Sequence, residues 1–136
     1  MAKYAAFGCT LKKGGTEYAG VTNISGPGLS VDTVDVTSHD STAAWEEVVA
    51  AILRSGEISL DIVYDPADAT HKYAAGGLIY DLVSRTAIAL TMEFSDVGTT
   101  TWSYNAFVTG FTPGMPVEAG LTAAVTLKIT GEPTLV

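Results

Sequence analysis

His39, Asp40 and Ser41 bring together the residue types of a hydrolytic triad: a general base, a carboxylate to orient it and a nucleophile. Triads draw their members from separate parts of a fold, and neighbours in sequence rarely converge in that geometry, so a polar loop is the favoured reading. His39 and His71, helped by Asp40 or Asp68, could ligate a metal. Two histidines are few for such a site, and a surface or hydrogen-bonded role accounts for them better. Glu57 and Asp61 could be imagined as a glycosidase pair, but same-face carboxylates on a β surface are far more often solvated, and no aromatic cleft accompanies them in sequence. Gly14-Gly15 and Gly76-Gly77 lack the phosphate-loop and dinucleotide patterns. No catalytic, cofactor or metal residue is therefore assigned, and the chain is expected not to be an enzyme.

The elements that must position these residues are mostly strands. In 57–65 the even positions Ile58, Leu60, Ile62 and Tyr64 are apolar, while Glu57, Ser59, Asp61 and Asp65 share the other face. Ile88, Leu90, Met92 and Phe94 form the apolar face of a second strand, and Trp102, Tyr104, Ala106 and Val108 that of a third. The turn residues of 95–100 predict an antiparallel hairpin between those two. Leu121, Ala123, Val125, Leu127 and Ile129 alternate with polar residues in the cleanest strand of the chain. Between 29 and 37 the alternation changes phase, which predicts a bulge near Thr33 that places Ser30, Asp32, Asp35 and Thr37 on one face. Segments 4–11 and 17–25 flank a hairpin turn at 12–16, and Gly26-Pro27-Gly28 and 112–116 read as turns or loops.

One helix is expected over 69–83, with Asp65 as cap, Pro66 at its start and Tyr73, Leu78 and Leu82 roughly on one side. Gly76-Gly77 weakens it by about 1 kcal/mol per glycine, so the helix either packs closely on the sheet there, as expected, or breaks. The fold class is thus mainly β, a β-sandwich or curved barrel with one helix on the sheet, forming a single domain over 1–136.

The 136 residues carry 47% apolar but only 16% charged side chains, against about 25% charged in an average domain. So little charge implies that much of the surface is covered. No apolar run approaches the roughly 18 residues of a membrane span, and no long apolar stretch follows Met-Ala-Lys-Tyr, so a mature soluble protein is expected. Cys9 is the only cysteine, which excludes an internal disulfide and, in its apolar neighbourhood, predicts a buried thiol. The net charge of −8 argues against a conventional nucleic-acid binder, because that affinity rests on neutralising phosphates.

Against the regular strands, the connection over 34–56 is long and carries a lone Trp45 beyond the polar run Thr37-Ser38-His39-Asp40-Ser41. Hairpin loops are usually about two to five residues, so a connection of this length is functional or reaches a partner. Trp45 either fills a core position or anchors an interface, and Val48, Val49, Ile52 and Leu53 need burial in either case.

At these residues the chain resembles the major tail tube proteins of long-tailed, non-contractile bacteriophages. The resemblance runs through Gly26-Pro27-Gly28-Leu29-Ser30, Val34-Asp35-Val36-Thr37-Ser38-His39-Asp40-Ser41, Trp45-Glu46-Glu47 and Gly56-Glu57-Ile58-Ser59. It continues at Asp65-Pro66, His71, Trp102, Ala106 and Val108-Thr109-Gly110-Phe111, and ends with the strand over 121–131. Where many relatives carry Gly-Leu-x-Asp-x-Gly, this chain has Ala51-Ile52-Leu53-Arg54-Ser55-Gly56, which leaves room for a short helix over 43–53.

The resemblance implies a virion structural protein that polymerises as stacked, hexameric rings into a tail tube, whose joined inner sheets make a composite β-barrel for DNA passage without specific binding. It implies an assembly loop of Thr37, Ser38, His39, Asp40, Ser41, Trp45 and Glu46. The partners implied are further copies and the tape measure, tail terminator and distal tail proteins, with no membrane and no cofactor, in a tail assembled in the host cytoplasm. Asp32, Asp35, Glu57 and Asp61 are candidate lumen residues, because a carboxylate wall repels DNA weakly where a cationic one would hold it. An outer solvated face or inter-ring salt bridges are the competing places for them. A ring or tube module of a phage-derived secretion or contractile system, or a monomeric sandwich binding carbohydrate or protein, are the alternatives.

Overall fold

The structure, a computed structural model, describes residues 3–135; Met1, Ala2 and Val136, the ends of the expected domain, lie outside the described residues. The period-two segments resolve into nine strands: β1 (Thr10–Lys13), β2 (Thr16–Glu17), β3 (Val21–Ser25), β4 (Ser30–Asp35), β5 (Val48–Arg54), β6 (Glu57–Val63), β7 (Ile88–Glu93), β8 (Thr101–Gly114) and β9 (Thr122–Thr134). Seven of them form an antiparallel sheet in the order β2-β1-β7-β8-β9-β6-β3, while β4 and β5 pair only with each other.

The strands β2 and β3 lie at opposite edges of this sheet yet are joined by only Tyr18, Ala19 and Gly20. The sheet must therefore curl until its edges meet at that corner. Tyr18 N donates to Leu11 O on one side, and Gly20 O accepts from Val63 N on the other. The result is a curled, half-barrel sheet with one helix, the mainly β architecture that the alternation predicts.

Its core is the apolar face of each strand. Ile58, Leu60 and Ile62 of β6 share one buried cluster with Val125 and Leu127 of β9 and Leu90 and Met92 of β7. The interleaved positions Glu57, Ser59, Asp61 and Val63 are exposed. The predicted hairpin is β7–β8, in register from Ile88↔Ala106 to Glu93↔Thr101.

The helix is shorter than expected: α1 runs only over Leu78–Ser84 and packs on β8. The chain breaks at Gly76-Gly77. Gly76 has φ +95°, and a Cβ on Gly77 would stand 1.8 Å from the Lys72 carbonyl oxygen, so the backbone folds back where a helix would have continued. Residues 65–77 instead form successive turns, with Asp65 Oδ1 accepting from Ala67 N. Buried His71 ties these turns to the sheet corner: Nδ1 accepts from Asp65 N, so Nε2 carries the proton and donates to Ala19 O at 2.6 Å.

Other expectations are corrected. The 43–53 segment is not helical, since residues 48–54 pair with β4. The N-terminal hairpin is confined to β1–β2 around Gly14-Gly15, and residues 4–9 are not a strand. Thr112, Pro113 and Gly114 continue β8 in register with β9, so the turn begins after them. Cys9 is half-buried, because the irregular segment before β1 covers it only in part.

Candidate assembly surface: the projecting arm and the exposed sheet face

The pairs β3–β6 and β4–β5 are two parts of one long ribbon that bends between Ser25 and Ser30 on one side and between Arg54 and Glu57 on the other. Glycine makes the bend possible. Gly26 has φ +104°, and a Cβ there would lie 2.4 Å from Glu57 O; Gly56 has φ +73°, and its Cβ would lie 2.5 Å from Gly28 O. Both conformations and both approaches exclude a side chain. Gly56 O also accepts from Ile129 N, which fixes the base of the ribbon to β9.

Beyond the bend the ribbon is an arm. Every residue of β4 and β5 is exposed, including Val31, Val34, Val48, Val49, Ile52 and Leu53. Register places Val31 opposite Leu53, Thr33 opposite Ala50 and Asp35 opposite Val48 on one face, and Ser30 opposite Arg54 and Val34 opposite Val49 on the other. Asp32 faces two residues, Ala51 and Ile52. The extra residue of the bulge thus lies in β5, and β4 alternates without interruption. The expected grouping of Asp32 with Asp35 fails for that reason: they point to opposite faces, and both faces carry apolar side chains.

An exposed ion pair between Arg54 and Asp32, 2.8 Å long, spans the bulge. The hydrogen bond from Arg54 holds the Asp32 carboxyl below its ordinary range, but at this exposure the pair adds little stability.

At the tip, Thr37 lowers the Asp35 carboxyl too, through its side chain first and then through its N–H, which donates to Asp35 Oδ1. Glu47 N donates to Thr37 Oγ1 at 2.8 Å, closing the ribbon. Ser41 Oγ donates to Glu47 Oε2 and accepts from Ser38 N, so the serine hydroxyl is committed to a loop contact with a glutamate. That is the polar loop expected of these residues. A single 3-10 turn, Thr42–Ala44, leads to Trp45, which is 75% exposed. Trp45 is thus no part of the subunit core. His39, Asp40 and Glu46 are exposed around it.

Glu57 and Asp61 lie together on the exposed face of β6, in register with Lys128 and Ala124 of β9. Four residues along a strand span about 13 Å. That exceeds the roughly 5–9.5 Å between the carboxyls of a glycosidase pair. The same face carries exposed Ser59, Thr122, Thr130, Asn105 and Thr109, a hydroxyl-rich surface that the alternation pattern contained and that attention to the acids alone missed. The four candidate acids therefore fall on two surfaces, Glu57 and Asp61 on the sheet and Asp32 and Asp35 on the arm.

A cavity of about 720 Å³ opens beside β3 and β7, lined by Val21, Ile24, Met92 and Phe94, with Glu17 and Cys9 as its titratable groups. Among the described residues no cluster of three or more His, Cys, Asp or Glu side chains could hold a metal ion.

No family model matches the chain, and no curated protein matches it. Solved structures share its fold. A chain in the virion of a native gene transfer agent (GTA) particle matches with a TM-score of 0.77 at 15% identity, over 98% of this chain and 99% of that one. A chain in the PVC sheath/tube terminator of an extracellular contractile injection system, in the extended state, gives 0.73 at 16% identity over 100% and 98%. The tail of an empty GTA particle with C6 symmetry contributes a third, at 0.69 and 17% over 93% and 94%. The chain has the fold of subunits found in these tail and injection-system particles, over essentially its whole described length.

Proposed function

We propose that this chain is a non-enzymatic structural subunit of a tail or injection tube, assembling with copies of itself into stacked rings. The observation that carries the reading is the arm: a two-stranded ribbon with apolar side chains exposed on both faces. An isolated hairpin is marginal in water, and contiguous exposed apolar surface of this kind marks an interface. The full-length likeness to chains of tail and injection particles supports the same reading. Because both arm faces need cover, the arm lies between neighbouring copies, with Thr37, Ser38, His39, Asp40, Ser41, Trp45 and Glu46 at its docking end.

In this proposal the exposed face of the main sheet lines the channel, with Glu57 and Asp61 on the wall, and the rings are hexameric. DNA, with a charge every 1.7 Å or so of axis, would meet a hydroxyl-rich, weakly anionic surface and pass without being held. Asp32 and Asp35 reach that wall only where a neighbour's arm is laid along it. The likeness to chains of both a GTA tail and a contractile injection system does not single out the non-contractile type, and both kinds of tube fit this reading. A monomeric binding module is the poorer account, since it leaves both arm faces in water.

Sedimentation of the purified chain over a wide concentration range tests the proposal. Ring or tube species must appear as concentration rises; a single monomer boundary throughout would refute it.

A further inference from the structure

The arm tip has a distinctive chemistry: exposed Trp45 beside Asp35, Asp40, Glu46 and Glu47, with no Lys or Arg anywhere over 34–53. A surface that receives it must offer cations and aromatic or apolar area. Among the described residues Lys12, Lys13 and Arg54 are held in ion pairs with Glu93, Asp81 and Asp32. Lys3, Lys72, Arg85 and Lys128 are the exposed cations outside those pairs. Lys128 stands in register with Glu57 on the sheet face, and Lys3 lies in the irregular N-terminal segment.

Lys72 and Arg85 differ from both, because they flank α1, Lys72 in the turns before it and Arg85 as its C-cap. Leu78 roots α1 in the core, and its outward side presents Tyr80 and Val83, with Tyr73 beside it. The rings of Tyr73 and Tyr80 are 6.0 Å apart, and Tyr73 is 64% exposed. Of the acids close by, Asp81 is buried against Lys13, Asp65 accepts from Ala67 N, and Asp68 accepts from Thr70 N and Oγ1 while also feeling the charge of Lys72. What remains is an aromatic patch with a cation at each end.

Resting on the tube reading, we infer that the arm tip of one copy docks on this outer face of α1 in another copy. Trp45 covers the Tyr73–Tyr80 pair, and Glu46, with the Glu47 oxygen that Ser41 does not hold, meets Lys72 and Arg85. Trp, Tyr and Arg are the side chains that most often carry interface energy, and charge complementarity fixes register.

The test uses the full chain. Lys72→Glu with Arg85→Glu, its fold checked by circular dichroism, should lower the sedimenting assembled fraction about tenfold or more. Adding Glu46→Lys with Glu47→Lys should restore it. Independently, in a Cys9→Ser background, Glu46→Cys or Glu47→Cys combined with Lys72→Cys or Arg85→Cys should give intermolecular disulfides on oxidation of assembled protein and none in dilute subunits. Should the charge-reversed chain not fold, the cross-link decides. Unaltered assembly of the folded charge-reversed chain, or no cross-link in any pair, overturns this docking while the tube reading stands. A parent chain that never assembles removes the reading itself.

Discussion

Single residues divide into those that shape the subunit and those that serve only the assembly. Gly56 belongs to the first group, since its φ of +73° and the 2.5 Å approach of Gly28 O leave no room for a methyl group. Gly56→Ala should cost about 1–3 kcal/mol in urea unfolding, the range for strained backbone. The proposed assembly would place Trp45 in the second. At 75% exposure it contributes little to the isolated fold, so Trp45→Ala should leave the melting temperature within about 2 °C, the surface-substitution range, while reducing sedimenting assemblies. Asp96 gives a pH signature. Hydrogen bonds from the Thr100 hydroxyl and N–H hold its carboxyl below the ordinary value of 3.8. Its contribution is therefore present at neutral pH and lost as pH falls through the folded value. Thr100→Val should destabilise the subunit at pH 7, and the difference from the parent should shrink as pH falls through the folded value, as measured by urea titration. In the sequence, Glu57 and Asp61 were readable as one exposed face. The parting of Asp32 from Asp35 was not, because the phase change at 29–37 fixes that a bulge exists and not which strand holds the extra residue.

At the scale of elements, strict alternation over 57–63, 88–93 and 122–129 made β6, β7 and β9 legible, since one buried face selects the register. Where that constraint is missing the sequence is ambiguous. Val48-Val49-Ala50-Ala51-Ile52-Leu53 suits a helix or a strand by pattern, and pairing with β4 decides for the strand. The 69–83 segment has helical spacing, but the backbone folds back at Gly77 against Lys72 O, so only its second half, from Leu78, is helical. The closure of the sheet was hidden as well, because it depends on Tyr18, Ala19 and Gly20 linking opposite edges and not on any periodic signal. The arm also predicts a dynamic contrast. A two-stranded ribbon without a buried face opens easily, so amides of 30–54 in the free subunit should exchange far faster than those of β6 and β9, and assembly should slow them. Hydrogen exchange on subunit and assembly checks this; arm protection that assembly does not change would detach the arm from the interface.

For the whole molecule, the low charge fraction and the apolar arm have one explanation if most of the surface is shared between copies. Closed rings would also remove the exposed edges β2 and β3, which otherwise invite uncontrolled pairing. On the proposed tube reading, the net charge of −8 would keep free subunits apart and leave passing DNA unbound. All of this depends on self-assembly, which electron microscopy of the purified full chain, diluted from high concentration, would reveal. Rings or hollow tubes of stacked rings, with a central channel, are expected. A field of uniform, subunit-sized particles under every condition of salt and concentration would contradict it.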